Sequence, residues 1–339
     1  MPDPTNRIET SVIVPCYNER GTIHLLLDAL YAQTYPRAAM EVIIADGMST
    51  DGTQTAIQSW HEQHPDLAVK IVENRVRIIP AALNTAIRAS KGMYIVRLDA
   101  HSMPERDYVE RSVAAVAGGR GQNVGGVWDI QPGGEHWMAR SIAAAAGHPI
   151  GVGDAKYRYS DQAGFVDTVP FGAFKRELLD EVGLFDETLL TNEDYEFNTR
   201  IRQAGGKIWF DPQIRSVYYA REDLPALARQ YWRYGYWKVH MLRRYPGTIR
   251  WRQALPPVFV SSLILLALLS PFVRVAWFAL IGILALYTLV LMLAGVQLGT
   301  RHKSASFFLG VPLAIACMHF SWGAGFVWGL LSPKKRNKG

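Results

Sequence analysis

The chain should fold as an α/β protein. A mostly parallel sheet wrapped by helices is expected first, then a basic helix at a membrane surface, then transmembrane helices. Three observations predict this. Up to about Arg252, short apolar runs alternate with polar segments of helical spacing, the pattern of parallel strands covered on both faces. Beyond it, the nearly uncharged stretches 255–273, 275–296 and 306–331 each approach the roughly 20 residues that cross a bilayer, and none carries the polar face of a soluble helix. Between these regimes, "RQYWRYGYWKVHMLRRYPGTIRWR" (229–252) holds seven arginines and lysines and no acid, with five tyrosines and tryptophans among its first nine residues.

The first hundred residues repeat one unit. "SVIVPCYN" (11–18) reads as a buried strand and "GTIHLLLDALYAQ" (21–33) as the helix after it. "MEVIIADG" (40–47) is a second strand, and "DGTQTAIQSWHEQ" (51–63) a helix opened by an Asp-Gly-Thr cap. "AVKIVEN" (68–74) and "IIPAALNTAIRAS" (78–90) repeat the pair, and "GMYIVRLDA" (92–100) is the next strand. Such sheets bind ligands outside the carboxyl ends of their strands. The polar residues there are Tyr17, Asn18 and Glu19, then Asp46, Gly47, Ser49, Asp51, Gly52 and Thr53, then Asp99 and His101. Alone, "DGMSTDGT" (46–53) is equally a turn followed by a helix cap. No G-x-G-x-x-G follows the first strand and no G-x-x-x-x-G-K-[ST] occurs, which speaks against a dinucleotide fold and a P-loop.

The net charge of +6 is concentrated in 229–252. A basic, aromatic segment can bind nucleic acid. Its place directly before apolar stretches favours a membrane surface instead, with rings at the headgroups and cations near lipid phosphates. The charge rule then puts residues 1–252 in the cytoplasm, and the polar start of the sequence, with two prolines in Met1 to Thr10, has no secretory pattern. The two cysteines, Cys16 and Cys317, are not expected to pair. The linear division is 1–225, 226–252, 253–333 (the three apolar stretches) and a basic tail, 334–339. One conflict arises. Three crossings would put "KKRNK" (334–338) outside, against the charge rule. Pro312, His319 and four glycines within 306–331 suggest that this stretch breaks into two half-helices and turns back. His319 would then face an acceptor or simply pack between helices.

"SVIVPCYNE", "VIIADGMSTDGT", "ALNTAIRASKG", "IVRLDAH" and "TNEDYEF" stand in the order and at the spacing of glycosyltransferase family 2, and the resemblance covers roughly residues 11–240. With the apolar tail, the chain looks like exopolysaccharide glycosyltransferases of the succinoglycan-biosynthesis type. The resemblance implies a GT-A-type, Rossmann-like nucleotide-binding sheet and inverting transfer of a hexose. The donor is a nucleotide-diphosphate sugar, most often UDP-linked. The acceptor is a lipid-linked, polyprenyl diphosphate saccharide at a bacterial plasma membrane, and nucleic acid plays no part.

Glycosyl transfer leaves extra negative charge on a departing diphosphate, which a divalent cation stabilises. Where the family usually has Asp-x-Asp, this chain has Asp99-Ala100-His101. Asp99 and His101 are the expected metal ligands. The imidazole leans the choice toward Mn²⁺ over Mg²⁺, unless His101 merely caps a turn. By resemblance Asp46 accepts a hydrogen bond from the base, Pro15, Tyr17 and Glu19 line the nucleoside floor, and Ser49 and Asp99 complete the nucleotide site. An acceptor hydroxyl needs a base, and by resemblance Asp194 is that base, with Glu193 positioning the acceptor. Both also fit an ordinary acid-rich helix start. Phe171 and Gly172 of "VPFGAFKREL" (169–178) would form acceptor floor. Gln230 and Arg233 match the family's Gln-x-x-Arg-Trp element, with Tyr234 in place of the tryptophan. This departure points to one sugar per encounter. Arg233 would contact the diphosphate or snorkel to the interface. Two other readings stay open: a transferase that loads polyprenyl phosphate itself, which needs no base, and a non-catalytic nucleotide-sugar scaffold.

Overall fold

The computed structural model describes residues 8–332; the "KKRNK" tail and the first seven residues lie outside the described residues. The chain divides into two compact units. One joins the residues up to 129 with 160–218, and the other joins 130–159 with those from 219 onward.

The first unit opens with β1 (Thr10–Cys16), α1 (Ile23–Tyr31), β2 (Met40–Asp46), α2 (Thr53–Gln63), β3 (Ala68–Glu73), α3 (Ile79–Ala89) and β4 (Tyr94–Arg97). It continues with β5 (Met103–Pro104), α4 (Tyr108–Ala117) and β6 (Asn123–Gln131). After α5 (Trp137–Ala146) and α6 (Pro149–Val152) come β7 (Gly164–Val166), β8 (Ala173–Lys175), α7 (Leu178–Val182), α8 (Glu193–Gln203) and β9 (Ile208–Tyr219). The strands form one sheet in the order β3-β2-β1-β4-β8-β6-β9-β5, with β7 also on β9. The first four run parallel, as the alternation predicts. Beyond β4 the pairings of β8 and β5 turn antiparallel, so the sheet is mixed.

The centres of β1 and β2 are apolar because both faces are covered: Val12, Ile13, Val14, Val42, Ile43 and Ile44 are all fully buried. β3 departs from the expected double covering. It is the sheet edge and is half-exposed, and Lys70 and Glu73 on it guard that edge against further pairing. Register decides where the site forms. Cys16 lies opposite Asp46, and Asp46 opposite Glu73, so three strands stop level. Their following residues gather at one rim, three of them in the left-handed region: Asn18 (φ 55), Met48 (φ 62) and Arg77 (φ 59). Strained backbone of this kind collects at functional sites.

The second unit holds α5, α6, α9 (Leu224–Leu242), α10 (Trp251–Leu269), α11 (Arg274–Arg301) and α12 (Phe307–Leu331). Of the three long apolar helices, α12 is the most enclosed, 44% buried over its apolar window against 22% and 17% for α10 and α11. It packs against α9 through bare backbone. A Cβ on Gly325 would meet the Trp232 carbonyl at 2.3 Å, and one on Gly235 the Trp322 carbonyl at 2.2 Å. Small residues let apolar helices approach this closely.

Two expectations need correction. The basic segment is not one helix over 226–252. α9 stops at Leu242 and α10 starts at Trp251, because Pro246 cannot donate a helical hydrogen bond and Gly247 sits at φ 79. Nor does 306–331 break into half-helices. α12 is continuous over 25 residues, about 37 Å at 1.5 Å per residue, enough to cross a bilayer. Pro312 lies in its second turn, and its glycines serve as contact points with neighbouring helices. His319 is a packing residue: its Nε2 meets the Ile150 carbonyl at 3.0 Å and its Nδ1 the Tyr287 hydroxyl at 3.1 Å.

Candidate active site

β4 ends on Arg97, a cation in an apolar strand with only 3% of its side chain exposed. Such burial requires partners, and there are three. Nη1 donates to Asp194 Oδ1; Nη2 donates to Glu193 Oε1 at 3.0 Å and to Asp99 Oδ1 at 3.3 Å. Asp99 follows β4 directly. Glu193 and Asp194 come from the first turn of α8, where the helix dipole favours acids. Asn192, in the left-handed region (φ 70), turns the chain into that helix. The carboxylates are 12–23% exposed while Arg97 lies beneath them, so the acids face outward from a cationic floor.

That floor is itself held. The Arg97 N–H donates to the Gly172 carbonyl at 3.0 Å, the guanidinium lies 5.8 Å from the centre of the Phe171 ring, and the Phe171 carbonyl accepts from the Tyr108 hydroxyl at 3.2 Å. Burial disfavours the Arg97 charge, but Asp194, Asp99 and Glu193 more than reverse this, so it stays protonated. Burial also pushes the Asp194 carboxyl up to about 7, with Arg97 opposing the shift and Glu193 and Asp99 adding to it. A carboxylate poised near neutrality suits a general base.

At the rim of β1 and β2 a second network forms. Asp46 is fully buried. Its Oδ2 accepts from the Ser49 N–H at 2.9 Å and from Gln54 Nε2 at 2.6 Å, and its Oδ1 from the Ser49 hydroxyl at 2.5 Å. The Ser49 oxygen also takes the Asn18 N–H at 2.8 Å, and Asn18 Oδ1 takes the Thr50 N–H at 2.9 Å. Asp51 accepts the N–H groups of Arg20 and Thr53. The "DGMSTDGT" turn is thus a real turn and cap, and it also braces the loop after β1. Tyr17 is 49% exposed, with the Arg77 guanidinium 5.8 Å from its ring centre. Pro15, the second-last residue of β1, is half-buried.

His101 Nδ1 meets Glu19 Oε1 at 3.1 Å. Burial raises the Glu19 carboxyl, yet the hydrogen bonds from His101 and Thr22 outweigh it and hold the group below the usual range. Among the described residues no three of His, Cys, Asp and Glu form a ready metal cage. Asp99 and His101 are bonded to different partners, Arg97 and Glu19, and are donors of the type that a cation carried in on a diphosphate takes, since it needs only one or two protein ligands beside phosphate oxygens and water. A carboxylate on Nδ1 is also the arrangement that directs an imidazole's Nε2 lone pair at a metal.

The expected site residues therefore group as follows. Asp99, Glu193 and Asp194 share Arg97, Glu19 holds His101, and Asp46 holds Ser49. Gly172 differs from expectation. The space at its Cα is filled by the Asn123 side chain, 2.2 Å from where a Cβ would stand, so packing explains this glycine. Gln230 and Arg233 lie on α9 in the second unit. Gln230 Nε2 donates to the Tyr234 hydroxyl at 3.0 Å, a bond the replaced tryptophan could not accept. Arg233 lines a shallow cleft of about 270 Å³ with Trp232, Tyr236 and Trp328. Sequence reasoning missed Arg97 and Gln54. The signal for Arg97 was present: one cation after the apolar run in "YIVRLD". For Gln54, a partly buried residue in the first turn of α2, there was none.

Three comparisons bear on this architecture. The family model described as "Glycosyl transferase family 2" matches residues 11–183, just over half the chain. The "Succinoglycan biosynthesis protein ExoA" of Rhizobium meliloti is 29% identical over 98% of each chain. A "dolichyl N-acetyl-alpha-D-glucosaminyl phosphate 3-beta-D-2,3-diacetamido-2,3-dideoxy-beta-D-glucuronosyltransferase" of Methanococcus voltae is 25% identical over 95% of this chain and 97% of its own. In fold the chain is similar to a mannosyltransferase of Pyrobaculum calidifontis solved with GDP-mannose and Mn²⁺. The TM-score is 0.61, with 24% identity over 97% of this chain and 89% of that one.

Proposed function

The chain belongs to glycosyltransferase family 2, and from that premise we propose that it moves a hexose, with inversion, from a UDP-linked sugar to a lipid-linked saccharide at a membrane. The observation that carries this reading is the meeting of Asp99, Glu193 and Asp194 over one buried arginine. It supports the reading because Asp194, the proposed base, and Asp99, proposed to serve the leaving group, are bonded to the same guanidinium.

Asp194 takes the proton of the acceptor hydroxyl as that oxygen attacks the anomeric carbon. Glu193 orients the acceptor from the same helical turn. The attack displaces the nucleotide diphosphate from the opposite face, which inverts the centre. Asp99 and His101 would hold a divalent cation, with Glu19 fixing the imidazole; when bound, the cation stabilises the charge of the departing diphosphate. Asp46 suits a base with a ring N–H beside a carbonyl, as in uracil. To reach it, that N–H replaces the Gln54 amide. Tyr17 offers a face for the ring.

A lipid-linked acceptor is supported by the dolichyl phosphate saccharide in the name of the Methanococcus relative and by three helices long and apolar enough to cross a membrane. The test incubates the purified full-length protein and a membrane lipid extract with labelled UDP- and GDP-sugars, with and without Mn²⁺. Label from one donor should enter the lipid phase only with the metal. No transfer from any donor would overturn the reading. Transfer that survives Asp194→Asn would point instead to an already anionic lipid phosphate as acceptor.

A further inference from the structure

We propose that Arg97 is the positioning residue that divides the labour among the three carboxylates, holding Glu193 and Asp194 back from the cation at Asp99. This rests on the transferase reading above and deepens it. Asp99, Glu193 and Asp194 all reach one guanidinium, and a dication bound at Asp99 would also draw the other two carboxylates, since hard cations take carboxylate oxygens in preference to almost any other protein donor. A base that coordinates the metal has lost the lone pair it needs. Here the guanidinium competes for these oxygens. It engages Asp194 and Glu193 through different nitrogens and makes its longest bond, 3.3 Å, to Asp99. The fork thus grips the pair on α8 and leaves Asp99 the most loosely held.

The geometry favours this over a role in packing alone. Arg97 is enclosed on the protein side by Phe171, and its Nε is buried with no hydrogen-bond partner. That orphaned donor is a cost, accepted where the remaining nitrogens are aimed at the carboxylates.

Removing Arg97 should therefore turn the trio into a metal cage, and the sign of that effect sets it apart from simple damage. Mn²⁺ binding to the full-length protein in detergent is read by the loss of the free-ion electron paramagnetic resonance signal, with no nucleotide present. Arg97→Met should bind Mn²⁺ about tenfold or more tighter than the natural chain, and adding Glu193→Gln or Asp194→Asn should reverse the gain. Arg97→Lys keeps the charge without the fork. It should lower kcat about 100-fold, the scale of a misplaced catalytic group, while the donor KM stays within about twofold because the base-binding rim is elsewhere on the sheet. Unchanged or weaker Mn²⁺ binding by Arg97→Met overturns the proposal. Where that variant does not fold, Arg97→Lys decides: it keeps the charge but not the fork, so Mn²⁺ should still bind more tightly than to the natural chain, and unchanged or weaker binding would overturn the proposal. Failure of the transferase reading shows up separately, as absence of transfer by the natural chain.

Discussion

Asp194 is the residue on which the chemistry turns. Asp194→Asn keeps the shape and removes the base, so transfer to a sugar hydroxyl should fall by about 10²–10⁴-fold. The Tm at pH 8 should not fall with it. A carboxyl raised to about 7 by burial contributes stability that is full below its unfolded value of about 4 and is lost as pH rises through 7, so a neutral amide spares the fold that loss. For the same reason kcat/KM should rise with pH across about 7. Glu193→Gln, by removing a like charge, should move that limb to lower pH; a pH–rate profile of both proteins is the check. Gln54 allows a prediction of opposite sign. Its amide occupies the Asp46 oxygen that a nucleobase would need. Gln54→Ala should make UDP bind tighter, by about 1 kcal/mol or roughly fivefold, measured by calorimetry. Asp99, Asp194 and Asp46 could be picked out by motif and strand-end position. Arg97 shows in sequence as a cation in an apolar strand, but its role does not, because a buried cation is explained by its partners, and Glu193 and Asp194 lie nearly a hundred residues away.

Elements were easiest to read where one period dominates. The parallel strands β1, β2 and β4 and the helices between them follow from uninterrupted apolar runs and 3.6-residue spacing. β3 was misjudged in its burial because four to six apolar letters look the same at an edge and in the centre of a sheet. The glycines of α12 were misjudged too. In sequence they resemble break points, whereas in the fold they are where helices touch. Gly325→Val would push a side chain onto the Trp232 backbone and should cost about 1–3 kcal/mol, seen as a lower Tm in detergent. Gly282→Ala on α11 has nothing within 4 Å of the added carbon and should leave the Tm unchanged or slightly higher. Equal effects at both positions would mean that α9 and α12 are not packed as described.

At the scale of the molecule, the second unit exposes apolar surface that water does not tolerate. Leu268, Phe272, Val275 and Phe278, around the α10–α11 turn, are 67–86% exposed, far beyond isolated surface residues. The protein should therefore pellet with membranes through carbonate and high-salt washes and dissolve only in detergent; release by salt alone would show that the three helices do not insert. The chain also divides less simply than along the sequence. Residues 130–159 join the unit of the C-terminal helices, where Asp154 pairs with Arg252 and lies 3.5 Å from Arg250.

What the sequence alone determined was local: alternating apolar runs, strand-end acids, an uncharged tail and the order of motifs, each expressed within one element by spacing. The tertiary structure alone decided which acids share a cation, which oxygen of Asp46 is capped, and where α12 meets its neighbours. Those are distances between residues far apart in the chain. They are set by strand register and helix packing, and no local pattern records them.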